Sequence, residues 1–148
     1  MTFIIAEAGV NHGGDIGQAI LLCNAAKEAG ADAVKFQHFR SMLLWGDARI
    51  AHLELDEAEM ANIAWHCQRL GIEFMATPFG VPEVEFLRPL LRRVKVASGC
   101  LTRFDLLAAV RATGLPVILS TGMADMARIE AAVEALGAPT LLHCTSAY

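Results

Sequence analysis

Val94-Lys95-Val96-Ala97-Ser98-Gly99 reads as a strand that runs into a polar turn, and the rest of the chain is ordered around it. Strand alternation sends Val94 and Val96 to one face and Lys95 and Ala97 to the other. A lysine in mid-strand is costly to bury without an anionic partner; the alternative is a lysine that snorkels from a strand edge. Ser98-Gly99 supplies a hydroxyl and a pliant backbone, which suit a phosphate or carboxylate. Val34-Lys35-Phe36-Gln37-His38-Phe39 repeats the arrangement, with Lys35, Gln37 and Phe39 on one face. Two strands with an embedded lysine imply a shared polar interior and an anion within it.

Working outward, Phe3–Ala8 forms a first apolar strand with Glu7 near its end. The turn cluster Asn11-His12-Gly13-Gly14 follows, and Asp15 with Gln18 three residues on caps a helix that Gly30 stops. Ala33–Phe39 is strand two, and residues 40–55 show no clean period, with Trp45-Gly46-Asp47 as their turn. Asp56 and Glu59 cap a second helix that ends at Gly71. Strand three, Glu73–Thr77, closes at Pro78; Pro82 opens a helix that Pro89 limits. Val94–Gly99 is strand four, and Thr102 with Asp105 starts a helix ending at Gly114. Pro116–Gly122 is strand five, Asp125–Leu136 a helix stopped by Gly137, and Thr140–Cys144 strand six. Strict alternation of strand and helix predicts right-handed βαβ units, an α/β fold with about six parallel strands, and a single domain over residues 1–148 without a linker.

Composition narrows the class. The chain has 148 residues, 55% of them hydrophobic, and a mean hydropathy of +0.43, so it can bury a core and is not a disordered segment. A formal charge of −4 without any basic run makes nucleic acid a poor partner. Apolar runs are strand-sized and broken by Glu7, Lys35 or Lys95, which argues against a membrane span. The start of the chain has no basic segment of a signal peptide, so a cytoplasmic location is expected. Cys23, Cys67, Cys100 and Cys144 show neither CxxC nor zinc spacing; Cys23 and Cys67 fall on helical stripes and read as core, and no disulfide is expected.

In parallel α/β folds the site lies at the carboxyl ends of the strands. Those ends carry Glu7, Asn11, His12, Lys35, Gln37, Thr77, Ser98, Ser120, Thr121, His143, Thr145 and Ser146. Two lysines with several hydroxyls, and no Walker glycine loop, favour a small phosphorylated acid over a nucleotide. Asn11-His12 can order a turn or touch a substrate. His143 fits a structural hydrogen bond better than a metal ligand.

Six short motifs at these strand ends resemble the sialic acid synthase family, the N-acetylneuraminate synthases and their legionaminate and pseudaminate relatives. They are Ile5-Ala6-Glu7 with Gly9-Val10-Asn11-His12-Gly13, Gly30–Gln37, Thr77-Pro78-Phe79, Val94–Gly99, Leu119-Ser120-Thr121-Gly122-Met123, and His143–Tyr148. The resemblance implies a TIM barrel that joins phosphoenolpyruvate to an N-acylated amino sugar of N-acetylmannosamine type, adds water and releases phosphate. It implies that Lys35, Thr77, Lys95, Ser98 and Ser120 hold the phosphoenolpyruvate, that Glu7 is catalytic, and that Gln37 and Tyr148 contact the sugar. It also implies a divalent metal, manganese or magnesium, and allows a homo-oligomer. Three departures accompany it: a short segment after strand two, His38 where a threonine is usual, and an end at Tyr148. The last implies a truncated (β/α) barrel lacking both the family's metal-binding histidines and its antifreeze-like C-terminal domain. The competing readings are a catalytically inactive fragment completed by a partner chain, and another phosphoenolpyruvate-dependent ulosonate synthase.

Overall fold

The computed structural model describes residues 2–42, 46 and 48–146. Among them, strands and helices alternate as the glycine punctuation predicts: β1 (Ile5–Gly9), α1 (Ile16–Glu28), β2 (Ala33–His38), α2 (Glu57–Leu70), β3 (Glu73–Pro78), α3 (Val81–Leu87), β4 (Val94–Val96), α4 (Phe104–Ala112), β5 (Val117–Ser120), α5 (Met126–Leu136) and β6 (Thr140–Leu142). Trp45 and Asp47 of the expected turn lie outside the described residues. Single-turn 3-10 segments occupy Ala51–Leu53, Arg88–Leu90 and Ser98–Cys100.

Local chemistry sets the boundaries. Asp15 accepts the Gln18 amide at the start of α1, and Asp125 does the same for Arg128 at α5. Asp56 and Glu59 close a reciprocal capping box on α2, a device worth about 1 kcal/mol. The expected cap of α4 is different: Arg103 is the cap residue, and Asp105 instead accepts its guanidinium at 2.9 Å. Strand four is also shorter than expected, because Ser98-Gly99-Cys100 winds into a 3-10 turn.

All paired strands run parallel, in two ladders ordered β1-β2-β3 and β4-β5-β6. β3 and β4 lie side by side with no ladder between them. At the entry to these two strands, Arg93 spans the gap with a two-pronged ion pair to Glu73, at 2.7 and 3.1 Å.

The strands separate two apolar layers. On the outer face Val34, Phe36, Phe74, Val94, Val96 and Leu119 pack against Cys23, Met60, Ile63, Cys67, Leu106, Leu107 and Val110 of the helices. Full burial of a side chain such as Phe36 or Leu107 contributes about 1.5–3 kcal/mol relative to exposure. On the inner face Ala33, Met75 and Ile118 form a small floor, flanked by Ile5 and Leu142. Lys35, Thr77 and Ser120 stand two residues further along the same strands as Ala33, Met75 and Ile118. Strand parity therefore raises them directly above the floor, at the carboxyl ends.

Candidate functional site

The site grows out of that inner face. Glu7 and Lys35 are directly opposed in the β1–β2 ladder, so both side chains rise on the same side. The Lys35 ammonium is in ion-pair contact with the Glu7 carboxylate and lies 3.5 Å from the Thr77 hydroxyl. Lys35 is nearly enclosed, whereas Glu7 remains about half exposed. Gln37 is half-buried and opposite Thr77 in the β2–β3 ladder, on the same inner face.

Across the gap, Lys95 donates to the Ser120 hydroxyl at 2.6 Å and to its neighbour's carbonyl, Val96 O, at 2.8 Å. Burial, and secondarily the positive charge of Lys35, lower the Lys95 pKa to about 8. The two ammonium groups thus feel each other inside one polar interior. An added anion would relieve both the desolvation and the repulsion.

Ser98 sits in the 3-10 turn rather than on the strand, and its hydroxyl oxygen accepts the Gly122 amide at 2.9 Å. That leaves the Ser98 hydroxyl hydrogen to donate elsewhere. Gly122 is a glycine for reasons of space. A Cβ there would lie 2.2 Å from the Ser146 hydroxyl, 3.1 Å from the Ser98 hydroxyl and 3.4 Å from Cys144 Cβ. Ser146, already expected at the strand ends, and Cys144, which was not singled out as a site residue from the sequence, therefore join the cluster. Strand parity was the available sign for Cys144, which lies two residues beyond Leu142, the ladder partner of Ser120. A hydrogen bond with Ser120 brings the Cys144 thiol below its ordinary pKa, despite the opposing effect of its partial burial.

Other expected residues sit elsewhere. His12 is buried on the outer face, 6.1 Å from Phe36 between ring centres, and accepts the Gly14 amide at 3.0 Å. Gly14, at φ +80°, lets the His52 carbonyl approach to where a Cβ would stand. The Asn11–Gly14 turn thus packs the loop, and Asn11 itself is exposed. Thr121 is tied to the Leu142 carbonyl at 2.9 Å. His143 is exposed, and its imidazole makes no hydrogen bond among the described residues. Tyr148 lies outside the described residues.

Among the described residues a divalent metal finds no donor set at this site. Among the described residues no three His, Cys, Asp or Glu side chains are placed to share an ion, and Glu7 is already held by Lys35. A separate cleft of about 680 Å³ lies at the amino ends of the strands, lined by Phe3, Asp32, Trp65, Glu73 and Arg92, and carries none of the groups above.

An inner floor, a polar tier above it and helices outside define a (β/α)-barrel type of domain with its polar groups at the carboxyl ends of the strands. Solved structures agree. The chain superposes with a TM-score of 0.93 on an N-acetylneuraminic acid (sialic acid) synthetase from Leptospira borgpetersenii, at 38% identity, covering 99% of this chain and 55% of that one. A truncated 3-deoxy-D-arabino-heptulosonate 7-phosphate synthase from Thermotoga maritima, 13% identical with a TM-score of 0.72 over 95% of this chain and 49% of that one, shares the fold alone. The NeuB family model matches residues 22–148, and the chain belongs to that family. An N,N'-diacetyllegionaminic acid synthase of Legionella pneumophila is 37% identical over 99% of this chain and 49% of its own length. The N-acetylneuraminate-9-phosphate synthase of Homo sapiens is 31% identical over 99% and 47%. The chain spans about half the length of the curated relatives it matches.

Proposed function

We propose that this chain holds phosphoenolpyruvate within a sialic-acid-type synthase, which condenses it with an N-acylated amino sugar and water and releases phosphate. The observation that carries the reading is the convergence of Lys35 and Lys95 above the Ala33–Met75–Ile118 floor, where burial and the Lys35 charge depress the Lys95 pKa. Such a pair of ammonium groups suits a ligand with both a phosphate and a carboxylate. Thr77, Ser98 and Ser120 would orient it through short hydroxyl hydrogen bonds.

In the proposed reaction the enol carbon of phosphoenolpyruvate attacks the sugar aldehyde and forms the carbon–carbon bond. Water adds at the carbon bearing the phosphate, and the carbon–oxygen bond to phosphate then breaks to leave a keto acid. Glu7, exposed at the mouth and displaced from Lys35 when the anion arrives, would accept the proton of the attacking water. Gln37, at the rim beside Thr77, would face the sugar. Because the described residues do not gather a metal donor set, no step is assigned to a cation. The relatives differ in their amino-sugar products, so the sugar is given as a class.

Calorimetric titration of phosphoenolpyruvate into wild type and Lys35→Met tests the reading. Weakening by roughly tenfold or more is expected from loss of one charge-assisted contact. Equal affinity for the two proteins would overturn it.

A further inference from the structure

Cys23 on α1 and Cys67 on α2 are both fully buried, and their sulfur atoms lie 3.5 Å apart. They are separated by 44 residues in sequence and meet because α1 and α2 pack together over the β1–β2–β3 ladder. Both are free thiols. We infer that Cys23 and Cys67 form a dithiol modification site that a peroxide converts to a disulfide bridging α1 and α2.

Several observations support this. Sulfur contact at this distance needs a closure of only about 1.5 Å to reach a disulfide bond length. The Cys67 thiol donates its hydrogen to Cys23 sulfur, which makes Cys23 the more nucleophilic of the two. The pKa directions agree, with Cys23 lowered by that hydrogen bond and Cys67 raised by donating it. The remaining two cysteines are placed differently: Cys100 is buried beside the Leu101 turn, and Cys144 lies in the polar site.

The chemistry balances with a peroxide as oxidant. Cys23 sulfur attacks one peroxide oxygen, the oxygen–oxygen bond breaks, and a sulfenic acid and one water result. Cys67 sulfur then attacks the Cys23 sulfur; the sulfur–sulfur bond forms, and the sulfenic hydroxyl leaves with the Cys67 proton as a second water. Two thiols and one peroxide thus give one disulfide and two waters. Burial makes the step slower than oxidation of the half-buried Cys144. The product staples the helices behind Glu7, Lys35 and Thr77 without touching those side chains.

The test is hydrogen peroxide treatment of the whole protein, followed by alkylation of remaining thiols under denaturing conditions and peptide mapping by mass spectrometry. The expected result is a cross-linked pair of peptides containing Cys23 and Cys67, reversed by a dithiol reductant. The oxidised protein should also melt on the order of 5–10 °C higher, as constraint of the unfolded chain requires. Recovery of Cys23 and Cys67 as alkylated thiols, or as separate sulfinic acids, after Cys144 is fully oxidised would overturn the inference. So would a cross-link from either residue to Cys100 or Cys144. Cys67→Ala should abolish both the cross-link and the gain in melting temperature; because mapping is read on the wild type, a variant that folds poorly leaves the test intact.

Discussion

Lys95 reaches across the β4–β5 ladder to the Ser120 hydroxyl, 2.6 Å away, and so ties the middle of β4 to the end of β5. This contact occupies one ammonium hydrogen, and the Val96 carbonyl takes a second. The third is left for a ligand. Replacing Lys95 by Met keeps most of the stem volume and removes the charge. Phosphoenolpyruvate affinity should fall by roughly tenfold to a hundredfold, measured by calorimetry, as expected for a lost charge-assisted bond. Thermal stability should hold or rise, since a buried and repelled charge is removed.

The lowered Lys95 pKa gives binding a pH dependence. Below about 8 the free protein carries the charged, binding-competent form; above it the ammonium is lost. Affinity for phosphoenolpyruvate should therefore decline as pH rises from 7 to 9, with proton uptake on binding near pH 8. Calorimetry in buffers of different ionisation enthalpy measures that uptake directly. A flat profile over this range would mean that Lys95 does not meet the anion.

Gly122 offers a test of the Ser98 hydroxyl that leaves every charge in place. In Gly122→Ala the new methyl displaces the Ser146 hydroxyl and crowds that of Ser98. Affinity for the anion should drop roughly tenfold, the value of one or two mispositioned hydrogen bonds, while the melting temperature changes by a few degrees at most. Wild-type affinity in this variant would place the anion away from Ser98.

His38 is buried with neither ring nitrogen hydrogen-bonded among the described residues, its ring centre 5.3 Å from that of Phe86. A buried polar group without a partner costs about 1–3 kcal/mol. His38→Leu should raise the urea midpoint at pH 7.5 by an amount worth about 1 kcal/mol, with an unchanged slope. A lower midpoint would show that the imidazole has a partner in solution.

Both His38 and His12 have lowered pKa values, burial being the main cause in each. At His38 the Arg40 charge acts in the same direction, against weaker opposition from Glu57, Glu54 and Asp56; at His12 the Gly9 backbone and Glu59 oppose. The unfolded chain therefore binds more protons just below the ordinary value of 6.5, so stability is full above that pH and is lost as pH falls beneath it. Melting temperatures between pH 7.5 and 5 should decline, and the decline should be shallower in His38→Leu. Equal slopes would exclude His38 as a contributor.

Period and punctuation made the alternation of strands and helices readable. Gly30, Gly71, Gly114 and Gly137 all take positive φ at helix ends, and Asp15, Asp56 and Asp125 all cap. Strand parity alone put Lys35 and Lys95 on the inner face. Most of the failures depend on contacts far apart in sequence. Ser98 could not be known to turn toward Gly122 until the neighbouring strands were in place, whereas Asp105 is drawn from its cap by a local contact, the Arg103 guanidinium two residues away. Cys144 escaped notice because its neighbours in space, Ser120 and Gly122, are more than twenty residues away. For Asn11-His12 the sequence left a loop-ordering turn and a substrate contact open, and the burial of His12 against Phe36 is what speaks for the turn.

The small floor of Ala33, Met75 and Ile118 has a wider consequence. It closes the inner face beneath the polar tier, while the strands themselves separate that tier from the outer core, and among the described buried residues the two apolar clusters share no member. Substitutions among Lys35, Thr77 and Ser120 can change which ligand is held while the helices keep their seating on Val34, Phe74 and Leu119. A chassis of this kind can be re-tooled at its mouth without being rebuilt.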